Sequence, residues 1–166
     1  MKCRRFLLIT NIPTQEDTME IVKKHNRAAV AAAKDYASQK PWQGEFDDRV
    51  SKLYEFHADL CAAYDIEVEL IVSVDAELRT KASGFVTYNA DGDTVIIMHP
   101  GLAVMTYLRL FAEALESDRA YENVSGDEGI SAYCARWANG LFMKAFPKSW
   151  DRLVEANAPI LSRDYC

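Results

Sequence analysis

Two histidines hold one metal ion when they sit about four residues apart on a helix face, and His25, His57 and His99 have no such spacing. A shared site for them would have to be assembled by folding. His57 falls within an apolar stripe and is expected to be a helix-face or core histidine. His99 precedes Pro100 at the start of a later helix and is the histidine to watch. Cys134 lies on an expected buried face, where packing outweighs nucleophilic chemistry. Ser125-Gly126-Asp127 reads as a helix cap and not as a nucleophile elbow, and the seven scattered glycines leave no loop to cradle a phosphate. Arg109 and Glu113 stand four apart and are expected to form an ion pair on one helix face.

The elements that would position these groups are readable from hydrophobic spacing. Phe6 to Thr10 reads as a first strand closed at Asn11-Ile12-Pro13. The capping-box pattern Thr14-Gln15-Glu16-Asp17 starts a helix running to about Ser38, with Asn26 interrupting its apolar stripe. After the breaker Lys40-Pro41-Trp42-Gln43-Gly44, a second helix carries Phe46, Val50, Leu53, Tyr54, His57, Leu60, Cys61 and Tyr64 on one face. Ile66 to Val74 alternates apolar residues with Glu67 and Glu69 and reads as a half-buried strand. Phe85 to Tyr88 and Thr94 to Met98, joined through Asp91-Gly92, read as a hairpin. Gly101 to about Glu116 is then a helix. Ser125-Gly126-Asp127-Glu128 caps the next, whose apolar face is Ile130, Cys134, Trp137, Ala138, Leu141, Phe142 and Ala145. Pro147 ends it, and Ser149 to about Ala156 forms a short last helix with Trp150 and Leu153 inward.

The segment Leu102-Ala103-Val104-Met105-Thr106-Tyr107-Leu108-Arg109-Leu110-Phe111-Ala112-Glu113-Ala114-Leu115 resembles the active-site helix of a bacterial and phage zincin-like metallopeptidase family. That helix reads approximately Ser-Val-Val-Thr-Phe-Leu-His-Glu-Phe-Ala-His-Ala-Leu. The likeness extends to Lys52-Leu53-Tyr54-Glu55-Phe56-His57 and to the Arg136-Trp137, Leu141-Phe142 and Phe146-Pro147-Lys148-Ser149-Trp150 pieces, covering about residues 45–155 of a single domain spanning 1–166. It implies an α+β fold: a minimal zincin-like domain with a small, mostly antiparallel sheet packed on helices.

By this resemblance Arg109 occupies the place of the first zinc-binding His, Leu110 that of the general-base Glu, and Glu113 that of the second His. An arginine stays protonated and a leucine has no proton chemistry, so one carboxylate remains where a catalytic zinc takes about three protein ligands. The expectation is a pseudoenzyme with no catalytic residue, cofactor or metal, which acts by protein–protein binding. A phage-encoded inhibitor of a host defence protein is the form the resemblance points to. Two alternatives stay open: a metallohydrolase using His99, Glu113 and Glu128, with Asp127 beside the last, and a structural or regulatory oligomer subunit using surface aromatics such as Trp42 and Tyr165.

Composition bounds these readings. Apolar residues make up 49% and charged residues 27% of 166 positions, a globular mixture. The formal net charge of −6 opposes direct nucleic-acid binding. It would suit a basic partner, including a nucleic-acid-binding host protein. The acids gather at Glu45/Asp47/Asp48, Asp65/Glu67/Glu69, Asp91/Asp93 and Glu113/Glu116/Asp118, read as solvated faces. Cys3, Cys61, Cys134 and Cys166 are widely spaced, as in a reducing cytoplasm. No apolar run approaches the roughly 20 residues needed to span a bilayer, and the N-terminal apolar run is too short for a signal peptide.

Overall fold

The structure is a computed structural model and describes residues 25–75, 84–101, 104–124 and 129–161. Its elements are α1 (Arg27–Ser38), α2 (Phe46–Tyr64), β1 (Glu69–Val72), β2 (Gly84–Tyr88), β3 (Thr94–Met98), α3 (Val104–Asp118), α4 (Ile130–Ala145) and α5 (Pro147–Leu161). The class is α+β, as expected. The three strands lie in the order β1-β3-β2, with β1 parallel to β3 and β2 antiparallel to it, so the sheet is mixed. The expected strand at Phe6–Thr10 and the Thr14–Asp17 capping box lie outside the described residues.

The hairpin follows its sequence signal. Gly84 pairs with Met98 and Tyr88 with Thr94. Across the loop, the Asn89 side-chain oxygen accepts from the backbone N–H groups of Asp91 and Asp93, both at 2.9 Å, while Gly92 supplies the positive φ of 86°. The alternation around β1 holds from Val68 to Val72. Val74, read as inward, is 74% exposed.

Several helix boundaries differ from expectation for identifiable reasons. Asn26 is the cap of α1 and not an interruption within it: its side-chain oxygen accepts from Ala29 N at 2.6 Å, and its amide donates to Ala63 O at 2.9 Å. Helix α4 begins after Gly129, which makes no side-chain cap bond; Ser125–Glu128 lie outside the described residues. Pro147 opens α5, where its missing N–H costs nothing. Trp150 is buried as expected, whereas Leu153, Ile130 and Tyr54 are each about 41% exposed.

Helix α3 is the centre of the molecule. It touches β2 and β3 on one side and α4 on the other, and α4 in turn packs on α1 and α5. Tyr107, Leu108, Leu110, Phe111, Ala112, Ala114, Leu115 and Glu116 are all buried in it. Glu116 was expected on a solvated face, yet it is 0% exposed. Its carboxylate accepts from the backbone and side-chain amides of Asn123, at 3.4 and 3.2 Å. It also accepts from the Tyr133 hydroxyl, whose pKa is raised by burial first and by this carboxylate second. Its carbonyl accepts from Tyr121 N at 2.8 Å. These bonds hold the turn after α3, where Ala120 and Tyr121 both take left-handed backbone angles.

Removing a buried carboxylate with this many donors leaves them unpaired. Glu116→Ala is expected to lower the unfolding free energy by about 2–4 kcal/mol, and Glu116→Gln by less. Urea denaturation of the three proteins checks the order.

Candidate functional site

Arg109, Leu110 and Glu113 lie in different surroundings. Leu110 is 7% exposed and packs against β2: a Cβ built on Gly84 would stand 2.7 Å from a Leu110 methyl and 3.1 Å from the Ile97 carbonyl oxygen. Leu110 is thus part of the core, seated where the strand has no side chain. Glu113 is half-buried, and desolvation raises its pKa. The expected Arg109–Glu113 ion pair is absent among the described residues. Arg109 Nε is instead buried without a hydrogen-bond partner. The order of the pair contributes, since an acid preceding a base by four residues is the favourable arrangement on a helix and here the base comes first.

His99 does not meet Glu113 in a metal cluster. Its Nδ1 accepts from Gly101 N at 3.0 Å, and no group of three His, Cys, Asp or Glu side chains among the described residues could hold a metal ion. Glu128 lies outside them.

His57 is a core histidine, as expected, with well-defined roles for both nitrogens. Nε2 lies 2.6 Å from the Val68 carbonyl oxygen, which can only accept, so Nε2 carries the proton. Nδ1, 2.8 Å from the Tyr107 oxygen, therefore accepts from that hydroxyl. Burial lowers the His57 pKa and keeps the ring neutral. Cys61, four residues on, lies 3.5 Å from Nε2. The pair has the spacing of a nucleophile and its base, but that nitrogen is already a donor and burial raises the thiol pKa. The geometry keeps Cys61 a thiol. Cys134 is buried in the core.

His25 joins α1 to α4. Its Nε2 donates to the Trp137 carbonyl at 3.0 Å, and its ring meets the Trp137 ring edge-on at 4.7 Å. Burial brings its pKa down to about 4.

A cleft lies elsewhere, between the start of α2 and the β3–α3 connection. Residues 46, 49, 50 and 53 share one face of α2. Phe46, Arg49, Val50 and Leu53 form one wall of a cleft of about 280 Å³ whose floor is Met98 and Tyr107. Trp42 stands at its rim, 57% exposed, with Phe46 beside it at 45%. Arg49 is the one formally charged residue in its lining. Sequence reading placed Phe46, Val50 and Leu53 on the core stripe and did not single out Arg49; the available signal was an arginine inside an apolar i, i+3, i+4, i+7 pattern directly after Pro41-Trp42. A second, shallower groove of about 470 Å³ lies over His57 and Cys61, edged by Glu67, Glu69 and Asp93.

The chain matches no family profile, no curated protein and no solved structure.

Gly84→Ala is expected to destabilise the fold by about 1–3 kcal/mol through overpacking. Part of that loss should return in the Gly84→Ala/Leu110→Ala double variant, relative to the sum of the single changes. A double-mutant cycle in urea checks the coupling. For His25, a folded pKa below the unfolded value of 6.5 means that its contribution is complete above pH 6.5 and is lost as pH falls toward about 4. NMR titration of its ring protons should give a midpoint near 4; a midpoint near 6.5 would contradict the burial.

Proposed function

We propose that the chain is a zincin-like domain that has exchanged catalysis for protein binding, acting in the cytoplasm of a host cell as a phage-encoded inhibitor of a host defence protein. The observation that carries the reading is Leu110. A scaffold with the element order helix, strand, hairpin, helix, helix has, at the position aligned with the general base, a leucine packed into the core against Gly84. Arg109 and Glu113 flank it without forming a pair.

Two further features support a binding role. The acids Glu45, Asp47, Asp48, Asp65, Glu67, Glu69, Asp91 and Asp93 are exposed, and with a net charge of −6 they favour encounter with a basic partner, such as a nucleic-acid-binding host protein. Exposed Trp42, Phe46, Phe85 and Tyr88 supply the residue types that anchor interfaces. Among the described residues no helix is long and apolar enough to cross a membrane.

Metal analysis tests the reading. Protein purified without chelator is expected to hold below about 0.1 zinc per chain, and its melting temperature should not change in EDTA. One transition metal per chain, lost in Glu113→Ala, would overturn the proposal and favour a hydrolase built on Glu113.

A further inference from the structure

We infer that the cleft between α2 and the β3–α3 connection is the docking site for a partner segment that presents an apolar anchor side chain beside a carboxylate. The inference rests on the binding role proposed above and gives it a surface and a chemistry.

The cleft has two parts with different demands. Its floor and inner walls, from Met98, Tyr107, Leu53 and Val50, offer no charge and are shaped for an aliphatic or aromatic side chain. Tyr107 does not add a polar demand there, because its hydroxyl is already donated to His57. At the mouth stands Arg49, exposed and with no ion pair among the described residues. A guanidinium offers a carboxylate paired donors in a plane. A ligand that fills the cleft and leaves Arg49 unpaired uses only half of the site.

The occupant is a polypeptide and not a small molecule because the apolar surface does not stop at the cleft. Trp42 and Phe46 extend it outward, and both are about half exposed. A volume of about 280 Å³ is at or below the small end for drug-sized ligands and suits one anchoring side chain, with the rim aromatics left to cover the adjoining backbone. Tryptophan, tyrosine and arginine, all three in this lining, are also the residue types enriched in binding hot spots.

The carboxylate requirement is local. Asp47 and Asp48 are helix neighbours of Arg49 but neither lines the cleft, and the long-range acidic field is screened beyond about 8 Å at physiological ionic strength. A contact pair with Arg49 is screened much less. A partner can therefore be basic overall, as the long-range field favours, and still place one acid next to its anchor.

Trp42 provides the readout. Trp137 and Trp150 are 4% and 5% exposed, so a ligand-dependent blue shift of tryptophan emission reports on Trp42. The probes are short synthetic peptides free of tryptophan, with a central Leu-Phe anchor flanked by glutamate, the same anchor flanked by lysine, and a glutamate-rich peptide without the anchor.

The glutamate-flanked anchor should shift the emission saturably, with at least about tenfold higher affinity than either control. Arg49→Gln should lower its affinity by about tenfold while leaving the lysine-flanked peptide unchanged. Circular dichroism monitors folding, and Arg49 is exposed enough for the change to be tolerated. Equal or tighter binding of the lysine-flanked peptide, an unchanged affinity in Arg49→Gln, or no shift with any peptide overturns the inference. Mass spectrometry of the recovered peptide separates the two proposals. A bound, intact peptide supports both, and a bound but cleaved peptide sinks the non-catalytic reading alone. An intact peptide that does not bind sinks the docking site alone.

Discussion

The fold depends on burying one helix on nearly every side. Sheet and helical layers both close on α3, so most of its positions from Tyr107 to Glu116 are core, and polar groups buried there call for internal partners. The chain meets that demand with two polar connections. Tyr107 donates to His57, and His57 donates to the Val68 carbonyl, which ties α3 and α2 to the approach to β1. At the other end, Glu116 gathers Asn123 and Tyr133 and so fixes α4 and the turn before it. Between these two connections Leu110 packs on β2 at Gly84, and just beyond them the Ser117 and Tyr88 hydroxyls meet.

The same constraint fixes Leu110 in the core. A metal site on a helix requires a face that opens onto water and substrate. On α3, Leu110 closes the gap over Gly84. A cleft open to a ligand lies one helix away, at the wall made by Phe46, Arg49 and Val50. There the backbone is an ordinary helix, and Phe46 and Arg49 are exposed side chains outside the core.

Much of the architecture was legible in the sequence because it rests on period and turn chemistry. The hairpin around Asp91-Gly92, the alternation through Val68 and Leu70 and the stripes of α2 and α4 are local patterns that burial reinforces. The misreadings have local explanations too. Asn26 looked like a polar break in an apolar stripe, and only its reach to Ala63 shows it to be a cap that also joins two helices. Glu116 looked like one acid among three, and its burial depends on Asn123 and Tyr133, which come from other parts of the chain. Arg109 and Glu113 had the spacing for a pair in the less favourable order. The Leu110–Gly84 contact could not be read from spacing, because it requires knowing which strand passes under α3.

The claim on which the account turns is that position 110 belongs to the core and not to a site. Urea denaturation of Leu110→Glu tests it most directly. With Gly84 leaving no room for a hydrated carboxylate, the account predicts a loss of roughly 3 kcal/mol or more in unfolding free energy. An unchanged midpoint would mean that the side chain reaches water, and it would restore the space between α3 and β2 as a candidate catalytic cleft.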